Sequence, residues 1–149
     1  MELPLPAPAS LVAFVALVAL WYALNWLLAA SSGWRSLAVR FPAEGSPEGE
    51  RLAWLASGQM GQVHYRNALR ISASPRGLEL RVLFFFPFNP PLRVPWERCS
   101  PMSTREGLFR GSRVMELDGT RFELRGSVAD RVEAARLRFA ADAPTPDPG

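Results

Sequence analysis

The residues of this chain whose types suit chemistry are few and scattered. His64 is the single histidine and Cys99 the single cysteine. With one of each, no CxxC pair, no HExxH and no histidine cluster, a His/Cys structural zinc site is excluded. A Ser-His-Asp triad would have to use His64, which lies in the strand-like stretch VHYR without a GxSxG elbow. A histidine on a strand surface or edge is the simpler reading. Glu79 and Glu123 are the candidates for a carboxylate pair. Each alternates with arginine on an expected outward face, which reads as a cross-strand charge ladder rather than an acid/base couple. The stretch GLFRGSR matches neither GxGxxG nor GxxxxGK[ST], so it offers no phosphate cradle. No catalytic, cofactor or metal residue is assigned, and the chain is expected not to be an enzyme.

Three features suit interaction instead. Phe84, Phe85, Phe86 and Phe88, followed by Pro90 and Pro91, crowd aromatic rings into a turn. Strand alternation buries at most half of them, so the turn forms a small local core, dips into a bilayer or docks on a partner. Arg93, Arg98, Arg105, Arg110 and Arg113 form a basic series offset by Glu97 and Glu106. Near an anionic leaflet it would hold the domain to the surface; otherwise it is a solvated face. Asn25 is the one strongly polar residue inside a long apolar run, placed to meet a partner helix or headgroup water.

That run, Leu11–Ala30, is the element that must position the rest. Twenty residues without a charge make a helix about 30 Å long, enough to cross a bilayer. The preceding MELPLPAPAS has no Lys or Arg, unlike the start of a signal peptide, although the small residues Ala29, Ala30, Ser31 and Ser32 would suit cleavage. Trp26 and Trp34 suit a membrane interface. Arg35 and Arg40 follow the span where nothing basic precedes it, which predicts an outside tail and a cytoplasmic main domain.

All seventeen basic residues are arginine, which sets the high isoelectric point of a chain whose net charge is only +3. A mixed, solvated surface explains that charge without nucleic acid. RNA binding would also want exposed aromatics interleaved with arginines on one sheet face, a pattern not visible here. A lone cysteine suits a reducing compartment.

Residues 1–10 read as a disordered, proline-rich tail, 11–30 as the transmembrane helix and 31–41 as an amphipathic juxtamembrane helix stopped by Pro42. An acidic Pro/Gly-rich linker covers 42–50. From 51 to 140 the period changes to that of strands. Leu52–Ser57 and Val63–Ala73 are joined by a turn at Gly58–Gly61, and Gly77–Phe86, Leu92–Trp96 and Leu108–Leu117 follow. Asp118-Gly119 turns the chain into Arg121–Arg125. A helix at 127–140 opens on a capping box from Ser127 to Asp130 and buries Val128, Val132, Ala135 and Phe139. Residues 141–149 read as a disordered tail. The fold class expected is α+β, mainly β: a bent antiparallel sheet or partly open barrel closed by the C-terminal amphipathic helix.

This order of elements resembles the pleckstrin-homology-like superfold. At the level of motifs the chain resembles small bacterial single-pass membrane proteins of uncharacterised role, which follow one span with GWxxLAxxY/F, GLxL and PPLxxPW. The matching stretches are Gly33-Trp34-Arg35-Ser36-Leu37-Ala38 to Phe41, Gly77-Leu78-Glu79-Leu80, and Pro90-Pro91-Leu92-Arg93-Val94-Pro95-Trp96. The resemblance implies a bacterial inner-membrane location and a fold, and brings no activity. Phosphoinositide-binding members of the pleckstrin group carry basic residues on the first hairpin loop; Gly58-Gln59-Met60-Gly61 has none, so specific inositol-phosphate binding is not expected. The function expected is a membrane-anchored interaction module that binds a membrane-protein partner. The alternative is a module that contacts lipid through the aromatic turn and the arginine face.

Overall fold

The computed structural model describes residues 8–83, 86–104 and 111–142. The apolar run folds as one helix, α1 (Pro8–Ser31). It starts three residues before the apolar run because Pro8 fits a first helical turn, where its missing N–H costs nothing. At about 36 Å it is long and apolar enough to cross a membrane, and nearly all of its surface is free of the rest of the chain. The tails at 1–7 and 143–149 lie outside the described residues.

A left-handed Gly33 turns the chain into α2 (Trp34–Arg40), which ends before Pro42 as expected. Seven strands follow: β1 (Glu50–Met60), β2 (Val63–Ser74), β3 (Gly77–Val82), β4 (Leu92–Val94), β5 (Ser103–Thr104), β6 (Ser112–Leu117) and β7 (Thr120–Arg125). The final helix is α3 (Gly126–Ala141). All strand pairs are antiparallel, in the order β4-β3-β2-β1-β7-β6-β5. The sheet curls into a half-barrel. A short 3-10 turn at Trp96–Arg98 carries the chain from β4 towards the opposite end of the sheet. There Cys99 bridges to Leu117, Ser100 N–H donates to the Glu116 carbonyl at 2.9 Å, and Asp118 N–H donates to the Arg98 carbonyl at 2.8 Å.

Several expected boundaries move, each for a physical reason. The first hairpin turns at Gly61-Gln62, not at 58–61: Met60 pairs with Val63, leaving a two-residue loop. Gly61 has a positive φ and lies against α1, where a Cβ would come within 2.7 Å of the Ser32 carbonyl oxygen. β3 stops at Val82, four residues short of the expected end. The 42–50 segment is not a free linker at its start. Pro42 bridges to Leu92 and Ala43 N–H donates to the Pro91 carbonyl, so the segment covers the edge of β4. Ser127 lies inside α3, where its hydroxyl accepts from Arg131 and makes no capping bond.

The core fills the concave face of the half-barrel. Leu69, Ile71, Leu78, Leu80, Leu92, Met115, Leu117, Phe122 and Leu124 are fully buried there. α2 contributes Trp34 and Leu37, and α3 contributes Val132 and Ala135 of the expected stripe together with Ala129, while Val128 and Phe139 are only partly buried against the core. The Trp96 ring stacks on Phe139, and its indole N–H donates to the Ser74 carbonyl at 2.7 Å.

Candidate functional site

The three motif stretches converge on packing roles. The Trp34 indole donates to the Pro90 carbonyl at 2.7 Å, tying the first to the third. Gly77, opening the second, lies against the end of the third: a Cβ there would sit 2.2 Å from the Val94 carbonyl oxygen.

The aromatic turn faces this chain's own apolar helix. Phe88 meets Tyr22 of α1 edge-to-face with centroids 5.9 Å apart, and Phe86 meets Tyr65 in the same way. Pro90 is exposed and Pro91 partly so. Phe84 and Phe85 lie outside the described residues. Beneath the turn runs a buried polar chain. Asn89 Nδ2 donates to the Tyr65 hydroxyl, which donates to Ser32 Oγ, which donates to the Ala29 carbonyl at the end of α1. Burial pushes the Tyr65 phenol up, and its bonds to Ser32 and Asn89 only partly offset this.

Asn25 is buried within this chain. It is 2% exposed, and its Nδ2 donates back to the Trp21 carbonyl at 2.8 Å. Its Oδ1 is buried and has no partner among the described residues.

Of the arginine series, the three members among the described residues are each paired with a carboxylate. Arg93 is held by Glu79 at 2.9 Å and is 11% exposed; Arg98 pairs with Asp118, and Arg113 with Asp130. Asp118 also pairs with Arg40. Arg105 and Arg110 lie outside the described residues.

The chemistry-bearing residues are likewise engaged or apart. Glu79 and Glu123 are on strands separated by β2 and β1, so they form no pair. Glu79 is not on a solvated face. It is buried at 2% exposure, bound by Arg81 Nε at 2.6 Å and by Arg93. Burial alone pushes its carboxyl up, but the hydrogen bonds and charges of Arg81 and Arg93 outweigh this and hold it below the usual range. Glu123 is paired with Arg121 on its own strand. His64 is exposed on β2 opposite Gln59, and it shares a shallow dent with Ser57 and Glu123. Ser57 Oγ is occupied there by Asn67, to whose Oδ1 it donates at 3.0 Å and from whose N–H it accepts. The dent holds no assembled triad. The Cys99 thiol is buried against the Val94 and Pro95 carbonyls, and burial pushes it up to about 12.

The surface that the sequence reading missed lies on β1. Ala53 pairs with Ile71 and Ala56 with Leu69, so three steps on β1 match two on β2. This bulge, with Leu55 at a φ of 56°, sends two neighbouring large apolar side chains outward. Trp54 is 52% exposed and Leu55 44%. The guanidinium of Arg51 lies 5.5 Å and that of Arg70 5.0 Å from the Trp54 ring centroid. The signal was legible: Leu52-Ala53-Trp54-Leu55-Ala56 is five apolar residues in a strand that can bury only alternate ones.

Comparison with protein-family models, with curated proteins and with solved structures finds no match. Fold and site together define a class: an apolar helix of membrane-spanning length carrying a curled antiparallel β domain.

Proposed function

We propose that this chain is a non-catalytic interaction module of the bacterial inner membrane, anchored by α1 and presenting a cytoplasmic pleckstrin-homology-like β domain to a membrane-protein partner. The observation that carries the reading is the junction between helix and domain. Phe88 on Tyr22, Trp34 on Pro90 and the Ser32–Tyr65–Asn89 chain hold the sheet against the end of α1. A module that must present one face at a set angle to the membrane depends on such a fixed mount. The antiparallel order β4-β3-β2-β1-β7-β6-β5 followed by α3 supports the pleckstrin-homology-like assignment, and Arg35 and Arg40 after the span support a cytoplasmic domain.

One observation favours a second reading, in which the turn also contacts lipid. Tyr22 lies nine residues before the end of α1, so Phe88 meets the helix about 13 Å back along its axis. That is the level of the exposed Trp21 and Trp26, rings suited to a headgroup belt.

The test uses the tagged full chain. A C-terminal tag protected in intact spheroplasts and digested after lysis supports the orientation. Partners cross-linked to the wild type are then compared with those of a Phe85→Ser, Phe88→Ser variant. Loss of a specific partner with the domain still folded makes the turn part of the partner site. Unchanged partners leave it as a mount. The absence of any specific partner for the wild type refutes the module reading.

A further inference from the structure

We propose that the cleft between the start of β1 and α3, with the Trp54 surface beside it, docks an acidic segment of the partner protein; this rests on the module reading above. The cleft encloses about 490 Å³. Leu52, Ala134 and Ala135 contribute apolar wall, and Arg51, Arg131 and Arg138 line it with Glu50. On α3, Arg131, Ala134 and Arg138 recur at the i, i+3, i+7 spacing of one helical face, so the small alanine leaves a trough between two guanidiniums. Arg51 lines the cleft and also lies against Trp54, which joins the two features into one surface.

Charge decides what this surface takes. Arg40, Arg76, Arg81, Arg93, Arg98, Arg113, Arg121 and Arg136 each have a carboxylate partner within the chain. At the cleft, Glu50 pairs with Arg138. Arg131 donates to the Leu52 carbonyl and to Ser127. Arg51 and Arg70 meet the Trp54 ring and, among the described residues, no carboxylate. Guanidiniums gathered beside exposed apolar side chains, with one carboxylate among them, complement a segment that alternates acidic and apolar residues.

Position decides between a protein and the bilayer. The β1–β2 turn lies against Ser32 at the end of α1, whereas Arg51 is ten residues back along β1. At strand rise that is at most about 30 Å along β1, which puts the cleft at the far end of the strand from that turn and from the end of α1. Single-stranded nucleic acid would need ring faces open for stacking, and here two guanidiniums already sit over the Trp54 ring.

The test is binding of a fluorescein-labelled peptide of four Glu-Glu-Leu repeats to the full chain in zwitterionic nanodiscs, read by anisotropy. Arg51→Glu with Arg70→Glu should weaken binding about tenfold, and Trp54→Ala about threefold. Arg66→Glu with Arg98→Glu changes net charge equally and should leave binding near that of the wild type. If charge reversal disturbs folding, Arg51→Gln with Arg70→Gln reads the same contacts. No binding by the wild type, or equal loss in both charge-reversed pairs, overturns the proposal. So does binding of phosphatidylserine vesicles or poly-U RNA through Arg51 and Arg70 when the peptide does not bind. A chain that ignores the peptide yet keeps its cross-linked partner overturns this docking site while leaving the module reading intact.

Discussion

Replacing Glu79 with Gln tests whether the outer face of the sheet is held by a buried charge rather than by solvated surface. The wild-type carboxylate is 2% exposed and accepts from Arg81 Nε at 2.6 Å and from Arg93 at 2.9 Å. Glutamine keeps the volume and one acceptor but loses the charge. It also brings an NH₂ group towards a guanidinium that has no lone pair to receive it. A hydrogen bond to a charged group is worth about 1.5–3 kcal/mol net, and losing a buried ionic partner about 3–5 kcal/mol. Arg81 keeps the Gly45 carbonyl at 2.7 Å and Arg93 keeps a longer contact to Glu48 at 3.7 Å, which moderates the loss. The expected destabilisation is therefore about 2–3 kcal/mol, a fall in Tm of roughly 10–20 °C for a domain of this size. Because the folded carboxyl titrates below its unfolded value, its contribution is fully present above the unfolded pKa. It is lost as pH falls through the lower, folded value. The wild type should begin to lose its advantage over the variant as pH falls below about 4.3, the pKa of unfolded glutamate. Thermal unfolding of the full chain in detergent, followed by tryptophan fluorescence from neutral to acid pH, reads both effects. A difference under about 1 kcal/mol at neutral pH, or one that grows on acidification, would refute the reasoning.

Two further outcomes follow from the packing. Gly77→Ala puts a Cβ 2.2 Å from the Val94 carbonyl oxygen at a φ of 149°, so β3 and β4 must separate. A loss of about 3 kcal/mol or more is expected in the same unfolding assay, and a wild-type midpoint would show that the two strands do not meet this way. The Cys99 thiol, pushed up to about 12 by burial, should resist iodoacetamide at pH 8 in the folded chain and react once denatured. Rapid native labelling, read by mass, would place that side chain at the surface.

What the sequence determined by itself is whatever depends on local order. Twenty uncharged residues dictate an apolar helix. Asp118-Gly119 dictates a hairpin, since both residues accept the positive φ that a two-residue turn requires. The spacing of Val132 and Ala135 dictates the buried face of α3. Charge pairing was not legible, because it depends on which strands become neighbours. Arg93 reads as surface beside Glu97 and Glu106, yet the pairing of β4 with β3 places it opposite Glu79. The aromatic turn reads as a docking tip until the fold brings α1 within reach of Phe88. The Trp54 surface arises because one extra residue in β1 breaks the alternation. Periodicity along a chain sets which face a side chain takes. Only tertiary register sets what lies across from it, and for arginines and aromatics the neighbour decides whether the residue stabilises the fold or remains free to bind.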